Sequence, residues 1–83
     1  MIVADIDLAL SRFNSVRTQQ GQTRLTAQEL AARIGIAPEN LSKLRNGHFN
    51  AVRRSTLDGV CRVLGCQPGD LLRYVPDAET GDA

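Results

Sequence analysis

Residues 26–47, TAQELAARIGIAPENLSKLRNG, carry the boundary signals of two short helices with almost no chain between them. Thr26 and Glu29 form a T-x-x-E capping box, in which each side chain accepts from an otherwise unpaired amide at a helix start. Leu30, Ala31 and Ile34 then supply the apolar stripe of a helix predicted over about 27–34, and Gly35 ends it. Pro38 suits the first position of the next helix, where its missing N–H costs nothing. That helix is predicted over about 38–46 and closes at Asn46-Gly47, glycine readily taking the left-handed conformation that ends helices. A three- or four-residue turn forces the second helix to pack on the first.

The second of these helices has little to bury. At 100° per residue Leu41 and Leu44 define its inner side, and Glu39, Ser42, Lys43 and Asn46 fall on the outer one. In a chain of 83 residues, a domain that buries only about 60–65% of its unfolded surface has no stability left for idle elements. An outward row of hydrogen-bonding side chains on a lightly anchored helix is the layout needed to enter a DNA major groove, about 12 Å wide. An ordinary packed helix in a small bundle is the plain alternative, and periodicity alone does not exclude it.

Charge narrows the choice. The net +1 conceals a middle segment, residues 33–54, in which Arg33, Lys43, Arg45, Arg53 and Arg54 stand against Glu39 alone, while residues 55–83 are net acidic. The segment reads as a basic patch for an anionic partner, or as a solvated face balanced by the acidic end.

Around this unit, Ile6, Leu10, Phe13 and Val16 predict a core-facing first helix at about 6–18, capped by Asp5 or Asp7. Residues 17–24 read as an exposed polar loop. Arg54 and Ser55-Thr56-Leu57-Asp58 signal a fourth helix, with Leu57, Val60, Cys61 and Leu64 on one face and Gly65 at its end. Pro68 and Asp70 open a short fifth helix carrying Leu71 and Leu72. The terminal stretches MIV and RYVP are β-prone enough to pair with each other, and residues 77–83 are expected to be a disordered acidic tail.

Several function classes are disfavoured. Cys61 and Cys66 are five apart and the chain holds one histidine, so a zinc site lacks ligands and both thiols read as reduced core residues. No paired carboxylates or glycine-rich phosphate loop support catalysis, and no cofactor is implied. Acidic Asp5 and Asp7 sit where a targeting segment would be basic, and no apolar run reaches spanning length, so the expected location is cytoplasmic with no membrane contact.

Taken together, LTAQELAARIGIAPENLSKLRNG followed by RRSTLDGVCRVLGCQPGDLL resembles the lambda-repressor and Cro-like (Xre-type) helix-turn-helix family, in particular its small single-domain Cro-like subgroup. The resemblance covers about residues 25–75 and implies an all-α, five-helix DNA-binding domain over 1–76, with the helix-turn-helix proper at about 26–46 and a short terminal β pairing added. It implies a transcriptional regulator, most simply a repressor, binding double-stranded DNA as a homodimer on a pseudo-palindromic operator. The base-reading face falls on Glu39, Asn40, Ser42 and Lys43. Asn46 and Arg53 match positions that usually hold phosphate, and Thr26, Gln28, Arg45, His48 and Arg54 are further candidate phosphate contacts, Gln28 or free N–H groups standing in because Ala27 occupies a position where the family often has glutamine, and Arg54 replacing a usual apolar residue. Of these, Glu39 could instead only favour the helix dipole, and His48 could only meet terminal carbonyls. Arg17 and Arg24 on the long loop add backbone contacts or none. An antitoxin or other module using the same fold to bind a toxin or another protein is the alternative.

Overall fold

The computed structural model describes residues 1–76; the acidic segment 77–83 lies outside them. Five helices are tied off by a two-stranded sheet that joins the two ends of the described chain: β1 (Ile2–Ala4), α1 (Ile6–Gln19), α2 (Ala27–Ile34), α3 (Pro38–Arg45), α4 (Arg54–Leu64), α5 (Pro68–Leu71) and β2 (Leu72–Tyr74). The strands run antiparallel, with Ile2 opposite Tyr74, Val3 opposite Arg73 and Ala4 opposite Leu72. The ladder continues one residue further, since the Val75 N–H donates to the Met1 carbonyl at 2.7 Å and the Met1 ammonium donates to the Val75 carbonyl at 2.8 Å.

The core is aliphatic and draws on every helix: Ile6 and Leu10 from α1, Leu30 and Ala31 from α2, Leu41 and Leu44 from α3, Val60 and Leu64 from α4, and Leu71 from α5, with Leu25 from the loop before α2. Ala31 is fully buried at the junction of the helix-turn-helix. Ile36 packs against the cluster from the turn. At Gly59 the approach is tighter still: a Cβ there would lie 2.6 Å from Ile34 Cγ2 and 2.9 Å from Ile34 Cβ. Glycine lets α4 lie directly on the end of α2.

Local expectations hold best where the signals are short-range. The capping box on α2 is formed, with the Glu29 N–H donating to Thr26 Oγ1 at 3.1 Å and the Thr26 N–H donating to Glu29 Oε1 at 2.9 Å. Gly35 ends α2 in the left-handed region at φ 78°. The first helix differs in three respects. It runs through Gln19, because residues 17–19 contain no breaker, and the chain turns only near Gly21 at φ 76°. Val16 is 54% exposed, since the buried row set by Ile6 and Leu10 continues four residues on to Asn14.

Asp5, although at the cap position, makes no capping bond; its carboxylate is taken by Arg73, whose Nε and Nη2 donate at 2.8 and 3.2 Å. The fourth helix begins at Arg54, with Arg53 as its cap residue. Ser55 and Thr56 lie inside the helix instead of before it, and Thr56 is buried.

Asn14 is the principal polar component of the interior. Its Nδ2 donates to the Leu25 carbonyl at 2.8 Å and its Oδ1 accepts from the Leu25 N–H at 2.6 Å. One amide thereby satisfies both backbone groups of a buried residue in the approach to α2, fixing where the helix-turn-helix begins relative to α1.

Candidate nucleic-acid interface

The outer surface of α3 is built by subtraction. Leu41 and Leu44 are buried, so the helix has one inward side and everything else faces solvent. Glu39, Asn40 and Lys43 are exposed and Ser42 is partly so. Asn46, the C-cap residue, folds back along the same side and donates from Nδ2 to Ser42 Oγ at 3.3 Å. No apolar side chain interrupts this face.

Two grooves flank it. One, of about 340 Å³, runs between the starts of α2 and α3 and brings Gln28 together with Glu39, Ser42 and Arg45. The other, of about 570 Å³, lies between α3 and the segment leading into α4, where Asn40, Lys43, His48 and Arg53 line one wall-to-wall depression. Gln28 thus lies beside α3, and Arg53 lines the same groove as Lys43 although ten residues separate them in the chain.

The remaining predicted residues take other positions. Thr26 is exposed, and its oxygen accepts the α2 capping bond, which leaves the hydroxyl proton free to donate. Arg54 is exposed at the first position of α4 and borders neither groove. Arg53, as cap residue, makes no side-chain capping bond, so the first N–H groups of α4 keep their positive partial charge beside the Arg53 guanidinium. Arg45 is engaged within the protein: its Nε donates to Asp7 Oδ1 at 2.6 Å. Arg17, considered as an added backbone contact, donates from Nε to the Thr23 carbonyl at 2.8 Å and stacks over the Phe13 ring at 5.4 Å. It braces its own loop.

Among the described residues no three of His, Cys, Asp and Glu come together as metal ligands, and no helix is long and apolar enough to cross a membrane. Cys61 and Cys66 are unbridged and partly buried. Burial, and then the neighbouring Cys61 thiol, push Cys66 up to about 11, so it is protonated at neutral pH and a poor nucleophile.

α3 is thus a lightly anchored helix with a wholly polar outer face, flanked by an amide on one side and by cations on the other. Residues 21–77 match the family model of the Cro/C1-type HTH DNA-binding domain. The chain belongs to this family. A relative, the uncharacterized HTH-type transcriptional regulator YozG of Bacillus subtilis (strain 168), is 40% identical over 80 residues, which is 96% of this chain and 83% of its own length. The matched residues include α2, α3 and both flanking grooves, so the Cro/C1-type assignment rests on the same segment that the geometry singles out. β1 and all of α1 lie outside the family match.

Proposed function

We propose that the protein is a sequence-specific transcriptional regulator that reads the major groove of double-stranded DNA with α3 and represses by occupying its site. The observation that carries this reading is the outer face of α3, where Glu39, Asn40, Ser42 and Lys43 stand together with no apolar residue among them. A protein-docking helix needs an apolar anchor at that place. Asn40 suits adenine and Lys43 suits guanine, while Glu39 can accept from cytosine N4. Gln28 and Arg45 on one side and His48 and Arg53 on the other flank that face, and together with Thr26, Asn46 and Arg54 they supply donors for phosphate on either strand.

Selection of bound sequences from random duplexes tests this directly. A preferred motif should emerge, and Asn40→Ala and Lys43→Ala should each weaken binding to it by about 1–3 kcal/mol while relaxing one or two base positions. Arg53→Ala should weaken all sequences alike and lower the slope of log K against log salt by about one. Variants that keep the parent's base preference would show that α3 is not the reader.

One recognition helix contacts few base pairs, and a homodimer on half-sites about 34 Å apart supplies the missing specificity. The terminal sheet is the surface suited to that contact. Tyr74 is 66% exposed, and its cross-strand neighbour Ile2 is 53% exposed; a two-stranded sheet also leaves open edges for a symmetry mate. Sedimentation at micromolar concentration should give a dimer that Tyr74→Asp and Ile2→Asp dissociate. A monomeric parent, or a dimer indifferent to both charges, refutes the terminal interface.

A further inference from the structure

Arg45 and Asp7 are 38 residues apart in sequence and joined by one hydrogen bond, Nε to Oδ1, at 2.6 Å. Arg45 is on the last turn of α3 and Asp7 on the first turn of α1. The pair is open to solvent, with side-chain exposures of 35% for Arg45 and 64% for Asp7. Exposed ion pairs contribute little to stability, so its consequence lies elsewhere.

The bond uses one of five guanidinium N–H groups. The other four have no protein acceptor among the described residues, and the Arg45 side chain borders the same groove as Gln28 and Ser42. Held through Nε, the guanidinium keeps both Nη groups for a second acceptor, and its long stem is already ordered. Without Asp7 that ordering would fall on the binding step, as one rotamer-rich side chain immobilised at the interface. Asp7 also sets a negative charge beside Arg45, which lowers the attraction of this corner for any phosphate, whatever its sequence context.

We propose that Asp7 is a positioning residue for DNA recognition: it aims Arg45 at a backbone phosphate in register with α3, while its charge weakens the contact with any duplex alike. The inference rests on α3 being the reading helix. Asp7 stands outside residues 21–77 matched by the family model, so the brace is a property of this chain's own first helix. Only the positioning raises the affinity ratio between the preferred duplex and a random one; the charge weakens both alike and leaves the ratio unchanged.

The test is a double-mutant cycle on that ratio, using the full chain, the duplex obtained by selection with the parent protein, and a random-sequence duplex of equal length. Asp7→Ala should lower the ratio by about three- to tenfold, the range expected for ordering one long side chain, with random-duplex binding becoming tighter. Arg45→Ala should lower it as well, and adding Asp7→Ala to Arg45→Ala should lower it no further. Circular dichroism melting of all three variants checks that the fold is retained, as an exposed pair predicts.

A ratio unchanged by Asp7→Ala overturns the proposal, because Asp7 would then be only a counter-charge. A loss that persists in the Arg45→Ala background overturns it too, since Asp7 would be acting through something other than Arg45. A parent protein that binds no duplex would refute the DNA reading itself, and this inference with it; binding with no coupling in the cycle refutes the inference alone.

Discussion

Replacing Gly59 by alanine isolates the contact on which the helix-turn-helix rests. The new Cβ would meet Ile34 Cγ2 at 2.6 Å and Ile34 Cβ at 2.9 Å. A change of Ile34 rotamer moves the first atom but not the second, so α4 must back away from α2. Overpacking of this kind costs about 1–3 kcal/mol. Against it stands the gain from removing a glycine within a helix, roughly 0.5–1 kcal/mol. Packing wins, for a net loss of about 1–2 kcal/mol, and at roughly 4–8 °C per kcal/mol for a domain of this size the melting temperature should fall by about 4–15 °C. Urea unfolding should show the same loss as a lower midpoint with an unchanged m value. Ile34→Ala destabilises alone by removing apolar contact, yet it takes away the nearer clashing atom, so the double variant should lose less than the sum of the singles. A Gly59→Ala protein as stable as the parent would refute the close approach, and so would strict additivity.

Two further outcomes follow from polar contacts. Asn14→Ala strands the Leu25 N–H and carbonyl, which Asn14 satisfies at 2.6 and 2.8 Å; at about 1–3 kcal/mol for each of the two unsatisfied groups, the loss in urea unfolding should be about 2–6 kcal/mol, and one below about 1 kcal/mol would show that Asn14 is dispensable. The hydrogen bond from Arg73 holds the Asp5 carboxyl below its ordinary 3.8. A carboxyl with a depressed folded-state pKa adds stability that is present above its unfolded value and is lost as pH falls through the folded one. Arg73→Gln should therefore flatten the stability profile below about pH 4 while leaving the rest of the curve parallel, and an unchanged acid limb would refute the pairing.

How much of this was legible before the structure depended on the range of the signal. The edges of α2 and α3 are written in capping residues, a proline and glycines within a few positions of the event, and those were readable one residue at a time. In α1 the apolar spacing marks Ile6, Leu10, Phe13 and Val16 as the inward row; Phe13 does pack against the core, but Val16 is exposed and Asn14 is buried, since a polar side chain can occupy a core position when a backbone from the following loop supplies both partners, and nothing at residues 13–16 announces that. Gly59 gave no signal, because a glycine within a helix looks like a weakness until Ile34 is seen against it. At the interface, the outward face of α3 followed from helical geometry alone. The engagement of Arg45 did not, for its partner is on another helix.

Asp5 and Asp7 show the same limit and what lies beyond it. Acidic residues at a helix start are ordinarily read as caps or as partners of the helix dipole, both local roles. Here Asp5 reaches Arg73 on β2 and Asp7 reaches Arg45 on α3, while the Asp5 N–H between β1 and α1 donates to the Leu71 carbonyl at 2.6 Å. The first turn of α1 is therefore tied to the terminal sheet through one aspartate and to the polar helix through the other. On the proposed reading, a surface at Ile2 and Tyr74 that paired two copies would be, by this route, one short turn away from the helix whose spacing such pairing would set. That connection would let the strand and first turn, which lie outside the family match, bear on a DNA-reading face that lies within it.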